Sequence, residues 1–151
     1  MAAQARSRGY NVTAVGDLQA ATRQADIISC CTLSRAPLVR GAWVQPGTHM
    51  DLIGAFKPEM RETDGAAVRA SSVFVDTRGG ALSEGGDIVQ AIAEGEFSAS
   101  QIQADLFDLC REKHPGRCKH DEITMFKSVG TALEDLAAAT IAYKWTATKT
   151  N

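Results

Sequence analysis

The sequence predicts an open parallel β-sheet with helices on both faces, which places the protein in the α/β class. Three observations support this prediction: strand and helix patterns alternate along the chain, residues 25–31 are apolar without alternation, and a long helical segment closes the chain. The chain has 151 residues, of which 44% are hydrophobic and 23% are charged. This size and composition are those of one globular domain.

The beginning of the chain predicts two helix–strand units. Residues 4–9 have the pattern of a helix tail closed by a glycine, and residues 10–15 are rich in β-branched side chains, which predicts a short strand. Asp17 is a suitable N-cap for a helix that extends to about Gln24. The apolar run 25–31 then predicts a strand that is buried on both faces of the sheet.

The central part of the chain continues this alternation. Residues 41–47 predict a turn-rich connection, which leads into a predicted strand over 48–54. Residues 58–70 predict a helix that begins at a proline and carries Glu62 in its first turn, where the helix dipole favours negative charge. Residues 72–77 are rich in β-branched side chains and predict another strand.

The last part of the chain ends in a long helix. Residues 87–94 and 100–112 predict two helices, the second because its apolar residues recur at helical spacing. Residues 123–126 predict a short strand. Ser128 is then placed to cap a closing helix over 128–145, whose apolar face is formed by Val129, Leu133, Leu136 and Thr140.

The composition excludes several functional classes. The formal net charge is -2, so the chain has no basic field to hold a nucleic acid. No apolar run approaches the roughly 20 residues of a membrane helix, and the N-terminus lacks the apolar core of a secretory signal. Four cysteines without such a signal predict reduced thiols in the cytoplasm.

Two cysteines and two histidines close together in the sequence raise the question of a zinc site. Their spacing does not match the usual zinc-binding patterns, and the basic residues around them would oppose a cation. We therefore predict an exposed basic turn and no bound metal. The residues concerned are Cys110, His114, Cys118 and His120.

Polar residues and glycines follow three of the predicted strands, at the strand ends where open α/β sheets bind ligands. Thr32 and Ser34 offer hydroxyl and N–H groups to a phosphate, a ribose or a nicotinamide, or they simply turn the chain. Gly54 leaves room for a flat ring, or simply ends a strand. Ser128 lies at a predicted helix N-terminus, where free N–H groups attract an anion, or it only caps its helix.

The segment 81–87 contains paired glycines and two acidic residues, which predicts a flexible acidic turn. Glu84 in this turn is placed to contact a cationic group of a substrate. Solvation is the commoner state of such a side chain, and the residues alone leave both alternatives open.

Taken together, the segments from Ala25 to Tyr143 resemble the ornithine cyclodeaminase/mu-crystallin family. The matching segments include Ala-Asp-Ile-Ile-Ser-Cys-Cys-Thr-Leu-Ser, Gly-Ala-Trp-Val-Gln-Pro-Gly-Thr-His-Met-Asp-Leu-Ile-Gly-Ala, Met-Arg-Glu-Thr-Asp and Val-Phe-Val-Asp-Thr-Arg. The most specific stretch, residues 122–139, is Glu-Ile-Thr-Met-Phe-Lys-Ser-Val-Gly-Thr-Ala-Leu-Glu-Asp-Leu-Ala-Ala-Ala. The order and spacing of these segments agree with the family over most of the chain.

The resemblance implies an enzyme that uses NAD or NADP, with a Rossmann domain and a second domain for substrate binding and dimerisation. It implies that the loops around the nicotinamide lie at three strand ends, and that Glu84 lies near the substrate pocket. The implied cofactor-binding positions are Thr32, Leu33 and Ser34, then Ile53 and Gly54, and then Ser128.

The resemblance also implies that residues 1–151 are the latter part of the Rossmann domain. No Gly-x-Gly-x-x-Gly motif occurs, so the first strands and the glycine-rich phosphate loop are expected to precede Met1, together with the substrate domain. We therefore expect the isolated chain to be marginally stable and to bind dinucleotide weakly or not at all. A full-length parent is expected to form a homodimer.

One position departs from the pattern of the cyclodeaminases. These enzymes carry an aspartate two positions after the glycine that matches Gly54, where this chain has Phe56. An aspartate can act as a base during deamination and a phenylalanine cannot, so the departure argues against ornithine cyclisation. Phe56 is more similar to the ketimine reductase branch, whose substrates are cyclic imino acids such as pyrroline-2-carboxylate and piperideine-2-carboxylate. An apolar side chain here is suited to pack against the ring of such a substrate.

The leading hypothesis is therefore a piece of an NAD(P)H-dependent cyclic-ketimine reductase. A second hypothesis is a non-catalytic binding protein of the mu-crystallin kind, which holds a cofactor or a small molecule without turnover. A third is an inactive truncated gene product. Reduction of a cyclic imino acid distinguishes the first hypothesis from the other two.

Overall fold

Five strands form one sheet in the computed structural model, which describes residues 1–149. The strands are β1 (Ile27–Cys30), β2 (His49–Leu52), β3 (Ser72–Val75), β4 (Ile102–Asp105) and β5 (Thr124–Lys127). Their order across the sheet is β1-β2-β5-β3-β4, and every neighbouring pair runs parallel. The predicted parallel α/β sheet is therefore confirmed.

Helices and short 3-10 turns connect the strands. Several helices begin at a side chain that accepts an N–H of the first turn, as Asp17 does for Ala20 at 3.0 Å, so the predicted cap at this position is confirmed. The helices are α1 (Ala2–Ser7), α2 (Leu18–Gln24), α3 (Gly65–Arg69), α4 (Arg78–Ser83), α5 (Gly86–Ala93), α6 (Leu106–Cys110) and α7 (Ala132–Lys149), and the 3-10 turns are Gly41–Trp43 and Ala99–Gln101.

The hydrophobic core lies on one face of the sheet. In parallel strands, the residues in register point to the same face, so alternate positions of β2, β3 and β5 form a continuous apolar surface. α3 and α5 pack against each other and contribute to the same cluster of buried residues. Its fully buried strand residues are Met50, Leu52, Val73, Val75 and Met125.

The other face of the sheet borders an open groove of about 820 Å³. Its strand residues include Ile27, His49 and Phe126, and α6 contributes Leu106 and Leu109. Helices therefore lie on both sides of the sheet, as predicted, but within residues 1–149 the second side is only partly covered.

The strand predicted over residues 10–15 is not formed, and this prediction is wrong. A strand needs a neighbour for its backbone groups. Here the Tyr10 N–H donates to the carbonyl of Ala5, and the Val12 carbonyl accepts from the guanidinium of Arg6. The segment therefore folds back on α1 and pairs with none of the five strands.

The strand predicted over 25–31 is formed as β1, but the prediction that both its faces are buried is wrong. β1 lies at an edge of the sheet, and among the described strands its one neighbour is β2. Ile27 is 70% exposed, whereas Cys30 is buried. An apolar run indicates a strand, but its position in the sheet depends on residues elsewhere.

The helix predicted over 58–70 is wrong in its first half, because the backbone of this segment bonds elsewhere. The N–H groups of Glu62 and Thr63 donate to Asp87 Oδ1, and the Glu62 carbonyl accepts from Leu38 and Val39. α3 begins only after Asp64, which is its N-cap.

The helix predicted over 100–112 divides into β4 and α6. Residues 102–105 pair with β3, and Asp105 then caps α6. The apolar spacing that indicated one helix is equally compatible with a strand that leads directly into a helix. The flexible turn predicted over 81–87 is also wrong, because its residues belong largely to α4 and α5.

The closing helix begins at Ala132 rather than at Ser128, so the prediction that Ser128 caps it is wrong. Ser128 directly follows β5. Gly130 has a φ of +82°, which lies outside the right-handed helical region, so the helix begins only after this residue. The predicted apolar face of α7 is not packed, since Leu133 and Leu136 are 64% and 63% exposed. No helix of residues 1–149 combines the length and the hydrophobicity needed to span a membrane.

Candidate active site at the carboxyl edge of the sheet

The loops that follow β1, β2 and β5 meet at the carboxyl edge of the sheet. The N–H groups of Ile53 and Gly54 both donate to the carbonyl of Cys30, at 2.8 and 3.3 Å, and the Ser128 N–H donates to the carbonyl of Leu52 at 3.0 Å. The structure therefore brings to one edge the positions that the family resemblance assigns to the cofactor, which are Thr32, Leu33, Ser34, Ile53, Gly54 and Ser128.

The loop after β1 is held in place by its own polar groups. Thr32 Oγ1 accepts the N–H of Ser34 at 3.3 Å, and the Ser34 hydroxyl donates to the carbonyl of Ala36 at 2.6 Å. The Thr32 carbonyl accepts the N–H of Ala55 at 3.2 Å, which ties this loop to the loop after β2. Leu33 is 65% exposed, so its apolar side chain is available to a ligand at this edge.

Gly54 lies against the neighbouring loop. A Cβ at this position would overlap the backbone N and O of Thr32 and the carboxylate of Glu62. The next residue, Ala55, is fully buried and has a φ of +49°, in the left-handed region. Contacts within the chain therefore account for the glycine, and its contact with a cofactor stays a prediction.

Buried charged groups lie beneath this edge. Lys127, the last residue of β5, is fully buried and donates from Nζ to the carbonyl of Gly54. Its Nζ is also 3.3 Å from Asp87 Oδ2. Asp87 Oδ1 accepts the N–H groups of Glu62 and Thr63 at 2.7 and 2.8 Å. An ion pair with additional hydrogen bonds is the form in which charged groups are tolerated in a protein interior.

Glu62 is also buried, and only one of its two carboxylate oxygens is bonded. Oε1 accepts the Thr32 N–H at 2.6 Å. Oε2 is buried and has no hydrogen-bond partner among the residues that the structure describes. A carboxylate oxygen in this state is costly for the fold, because it has lost its water without gaining a donor.

Cys30 lies next to these charges and is not a nucleophile. Burial, together with the nearby carboxylates of Glu62 and Asp87, raises the pKa of its thiol to about 12, while Lys127 acts in the opposite direction. The thiol therefore stays protonated at neutral pH and packs as a small apolar group.

Asp76 binds the backbone between β5 and α7. Its Oδ2 accepts the Ser128 hydroxyl at 3.0 Å and the N–H groups of Val129 and Gly130, each at 2.8 Å, while Oδ1 accepts the Thr77 N–H at 2.6 Å. Free N–H groups were predicted to attract an anion here. The protein's own carboxylate occupies that position.

The two residues that the sequence assigns to substrate binding lie on adjoining segments. Phe56 is 39% exposed and follows Ala55, whose carbonyl accepts the N–H of Gly86 at 3.0 Å. Glu84 is exposed and lies two residues before Gly86, at the end of α4. Their contact with a substrate stays a prediction.

The cysteines and histidines between positions 110 and 120 do not converge. Cys110 and Cys118 are exposed free thiols, and His114 packs edge-on against Phe74, with ring centroids 5.3 Å apart. The structure shows no group of three or more His, Cys, Asp or Glu side chains within residues 1–149 that is arranged to hold a metal ion.

Sequence analysis did not identify the buried charges at this edge, namely Glu62, Asp76, Asp87 and Lys127. Two local signals point to them. Lys127 ends a strand whose other residues are apolar or small, and Asp76 directly follows β3, at a strand end where ligands bind in such sheets. Neither signal predicts that these side chains are buried, because burial depends on contacts between distant segments.

An open parallel sheet with polar loops at its carboxyl edge is the architecture of the Rossmann-type folds, which bind their ligands at this edge. The sequence model of the ornithine cyclodeaminase/mu-crystallin family matches residues 1–150. The chain therefore belongs to this family, and the predicted resemblance is confirmed.

Two curated relatives illustrate the family. The chain is 47% identical over 129 residues to a Delta(1)-pyrroline-2-carboxylate reductase of Paracoccus denitrificans, a match that covers 85% of this chain and 41% of the relative. It is 35% identical over 140 residues to the ketimine reductase mu-crystallin of Mus musculus, covering 92% of this chain and 42% of that protein. The chain thus spans less than half the length of these relatives.

A solved structure has the same fold. The Delta(1)-pyrroline-2-carboxylate reductase of Thermococcus litoralis, in complex with NADH and L-proline, superposes with a TM-score of 0.88 at 36% sequence identity. The match covers 93% of this chain and 43% of that structure.

Proposed function

We propose that the protein is an NAD(P)H-dependent reductase of cyclic ketimine carboxylates such as pyrroline-2-carboxylate or piperideine-2-carboxylate. The observation that carries this proposal is the meeting of the Thr32 and Gly54 loops at the carboxyl edge of the sheet. This edge is the ligand-binding side of such sheets. The similarity to a pyrroline-2-carboxylate reductase and to an NADH-bound structure supports the choice of reaction.

The residues at this edge fit the nicotinamide half of the cofactor better than its phosphate half. The hydroxyl of Thr32 and the exposed side chains of Leu33 and Ile53 suit a ribose and a flat ring. The N–H groups of Val129 and Gly130 are already bonded to a carboxylate, so they are not available to a phosphate. In this proposal the six cofactor positions named above hold the nicotinamide and its ribose.

The chemistry required of this chain is mainly orientation and exclusion of water. A bound reduced nicotinamide supplies the hydride for the imine carbon, while the protonated imine nitrogen is retained as an amine. Phe56 is apolar and partly exposed beside the site, which suits a ring contact. Reduction of a protonated imine needs no base at this position, whereas deamination of ornithine does.

The activity is proposed for the whole protein, because the relatives are more than twice as long as the matched region. In the same proposal, the part of the relatives outside the match corresponds to the phosphate loop and the substrate domain. We propose a homodimer in the cytoplasm, where free thiols such as those of Cys31 and Cys110 stay reduced.

The test is oxidation of NADH and NADPH by the purified full-length protein with each of the two imino acids, followed by absorbance at 340 nm. We expect a decrease that depends on the imine. Leu33→Ala is expected to raise the KM for the cofactor about threefold to tenfold, because apolar contact with the ring is lost. Leu136→Ala removes a similarly exposed side chain from α7, since Leu136 is 63% exposed, and is the control.

The alternative of a non-catalytic, mu-crystallin-like binding protein gives a different result. It predicts binding of NADH or of a small carboxylate without consumption of either. Absence of turnover with both imines and both cofactors contradicts the proposed reductase. Release of ammonia from ornithine would instead favour a cyclodeaminase and contradict the interpretation of Phe56.

A further inference from the structure

We infer that Glu62 is a positioning residue, whose carboxylate sets the spacing of the two loops proposed to hold the nicotinamide. The inference rests on the proposed function and deepens it. In this role Glu62 acts through the backbone of Thr32 and Gly54, which lies between its carboxylate and the ligand.

The first step of the argument is the position of the carboxylate. Glu62 Oε1 accepts the Thr32 N–H at 2.6 Å. The same oxygen lies in the space that a Cβ on Gly54 would need, together with the backbone of Thr32. The carboxylate is therefore in contact with the loop after β1 and the loop after β2 at once.

The second step is the way in which Glu62 itself is anchored. Its N–H donates to Asp87 Oδ1 at 2.7 Å, and its carbonyl accepts the N–H groups of Leu38 and Val39 at 2.8 and 3.0 Å. Hydrogen bonds at both its N–H and its carbonyl therefore fix the backbone of Glu62.

The third step is the closure of the network. Asp87 pairs with Lys127, and the Lys127 ammonium donates to the carbonyl of Gly54. A continuous chain of contacts therefore runs from Thr32 through Glu62, Asp87 and Lys127 to Gly54. The two proposed nicotinamide loops are joined both directly and through these buried charges.

The fourth step concerns the second carboxylate oxygen. Glu62 is fully buried, yet Oε2 has no partner among the described residues. An apolar side chain at position 62 would avoid this cost, but it would leave the Thr32 N–H without its acceptor. Local features that are costly for the fold are typical of functional sites, which favours a role in positioning the loops.

The test distinguishes the effect of side-chain length from the effect of charge at position 62. Glu62→Asp keeps the charge but shortens the side chain, whereas Glu62→Gln keeps the length and an acceptor oxygen but removes the charge. Glu59→Gln and Glu59→Asp are the matched controls, because Glu59 lies on the same segment and is exposed. The readouts on the purified full-length protein are amide hydrogen exchange at Thr32 and the Kd for NADH.

The inference predicts that Glu62→Asp accelerates exchange of the Thr32 amide and raises the Kd for NADH, each about tenfold, because the acceptor no longer reaches the loop. Glu62→Gln is expected to remain within about threefold of the unmodified protein in both readouts, and the Glu59 variants are expected to be unchanged. These measurements are made at a temperature where thermal melts show all variants to be folded.

Three results overturn the inference. Unchanged Thr32 exchange in Glu62→Asp shows that the hydrogen bond does not set the loop. Faster exchange with an unchanged Kd shows a purely structural role. An equal defect in Glu62→Gln shows that the length of the side chain is not what holds the loop in place. If the unmodified full-length protein binds no NADH, the proposed function fails, and the inference that rests on it fails with it. If Glu62→Asp weakens NADH binding and Glu62→Gln does not, the inference holds. If the unmodified protein then also fails to reduce the imines, that failure contradicts only the proposed reductase activity.

Discussion

At the scale of single residues, Gly54 carries the strictest steric requirement of the candidate site. A Cβ added there meets the Thr32 backbone, which is itself hydrogen-bonded to Ala55 in the loop after β2, so neither partner is free to move. We expect Gly54→Ala to lower the free energy of unfolding by about 1–3 kcal/mol, as overpacking does in a filled interior. Urea unfolding measures this change.

The matched control is Gly79→Ala. Gly79 lies in α4, and a Cβ there meets nothing within 4 Å. Alanine favours a helix over glycine, so this variant is expected to be more stable by about 0.5–1 kcal/mol. Equal effects of the two substitutions would show that the Thr32–Gly54 contact is not as close as the structure has it.

A second prediction at this scale concerns His49 and pH. Burial lowers the pKa of His49 below its ordinary value of 6.5, Arg117 acts in the same direction, and Asp51 opposes them. His49 Nδ1 lies 2.8 Å from Thr124 Oγ1, which also accepts a hydrogen bond from Arg117. The Thr124 hydroxyl therefore has its proton available for Nδ1 of a neutral imidazole.

The sign follows from the lowered pKa. Below pH 6.5 the unfolded chain takes up a proton that the folded chain binds only at lower pH, so stability falls as pH falls towards the folded pKa. His49→Gln is expected to remove this part of the pH dependence between about pH 7 and pH 5. The exposed His120→Gln serves as the control. A slope that survives in His49→Gln would assign the effect to another group.

At the scale of elements, Asp76 organises the connection between β5 and α7. It accepts one hydroxyl and three N–H groups, two of them from the segment directly before the helix. Asp76→Asn replaces one acceptor oxygen by a donor and is expected to cost about 1.5–3 kcal/mol, the range for hydrogen bonds to a charged group.

Thermal or urea unfolding tests this prediction, with the exposed Asp121→Asn as the control. Amide exchange at Val129 and Gly130 provides a local readout and is expected to accelerate. Full stability of Asp76→Asn, with unchanged exchange at both amides, would mean that another group holds this connection.

The same scale shows what could be predicted from sequence. α2 and α5 were predicted closely because a cap or a helical pattern encodes them locally. The helix predicted over 58–70 was not, because Asp87 captures the backbone of Glu62 and Thr63, and no local pattern reveals that capture. β4 was missed because the spacing of Ile102, Leu106 and Leu109 suits a helix as well as a strand followed by a helix.

The candidate site was likewise predictable only where local sequence encodes it. Thr32, Gly54 and Ser128 follow strands, and the rule that parallel strands bind ligands at their carboxyl ends placed them at one edge. The buried charges beneath them were not predictable, because an acidic or basic residue is normally expected at the surface. Their burial follows from contacts between segments that are far apart in sequence.

At the scale of the whole molecule, two features stand out together. Within residues 1–149, β1 has a free edge and one face of the sheet is open to a groove of about 820 Å³. The matched region is less than half of the two curated relatives named above. The carboxyl edge nevertheless has its loops fixed by hydrogen bonds and buried charges. We therefore propose that this part of the protein positions the nicotinamide.

The central claim is hydride transfer to a cyclic imino acid, and isotope transfer tests it most directly. The protein is incubated with pyrroline-2-carboxylate and NADH that carries deuterium at C4 of the nicotinamide, with each of the two C4 stereoisomers in turn. The account predicts proline with one deuterium on its α-carbon from one stereoisomer. The same experiment with piperideine-2-carboxylate yields labelled pipecolate if that imine is the substrate. Binding of NADH without formation of either labelled product would contradict the proposed hydride transfer.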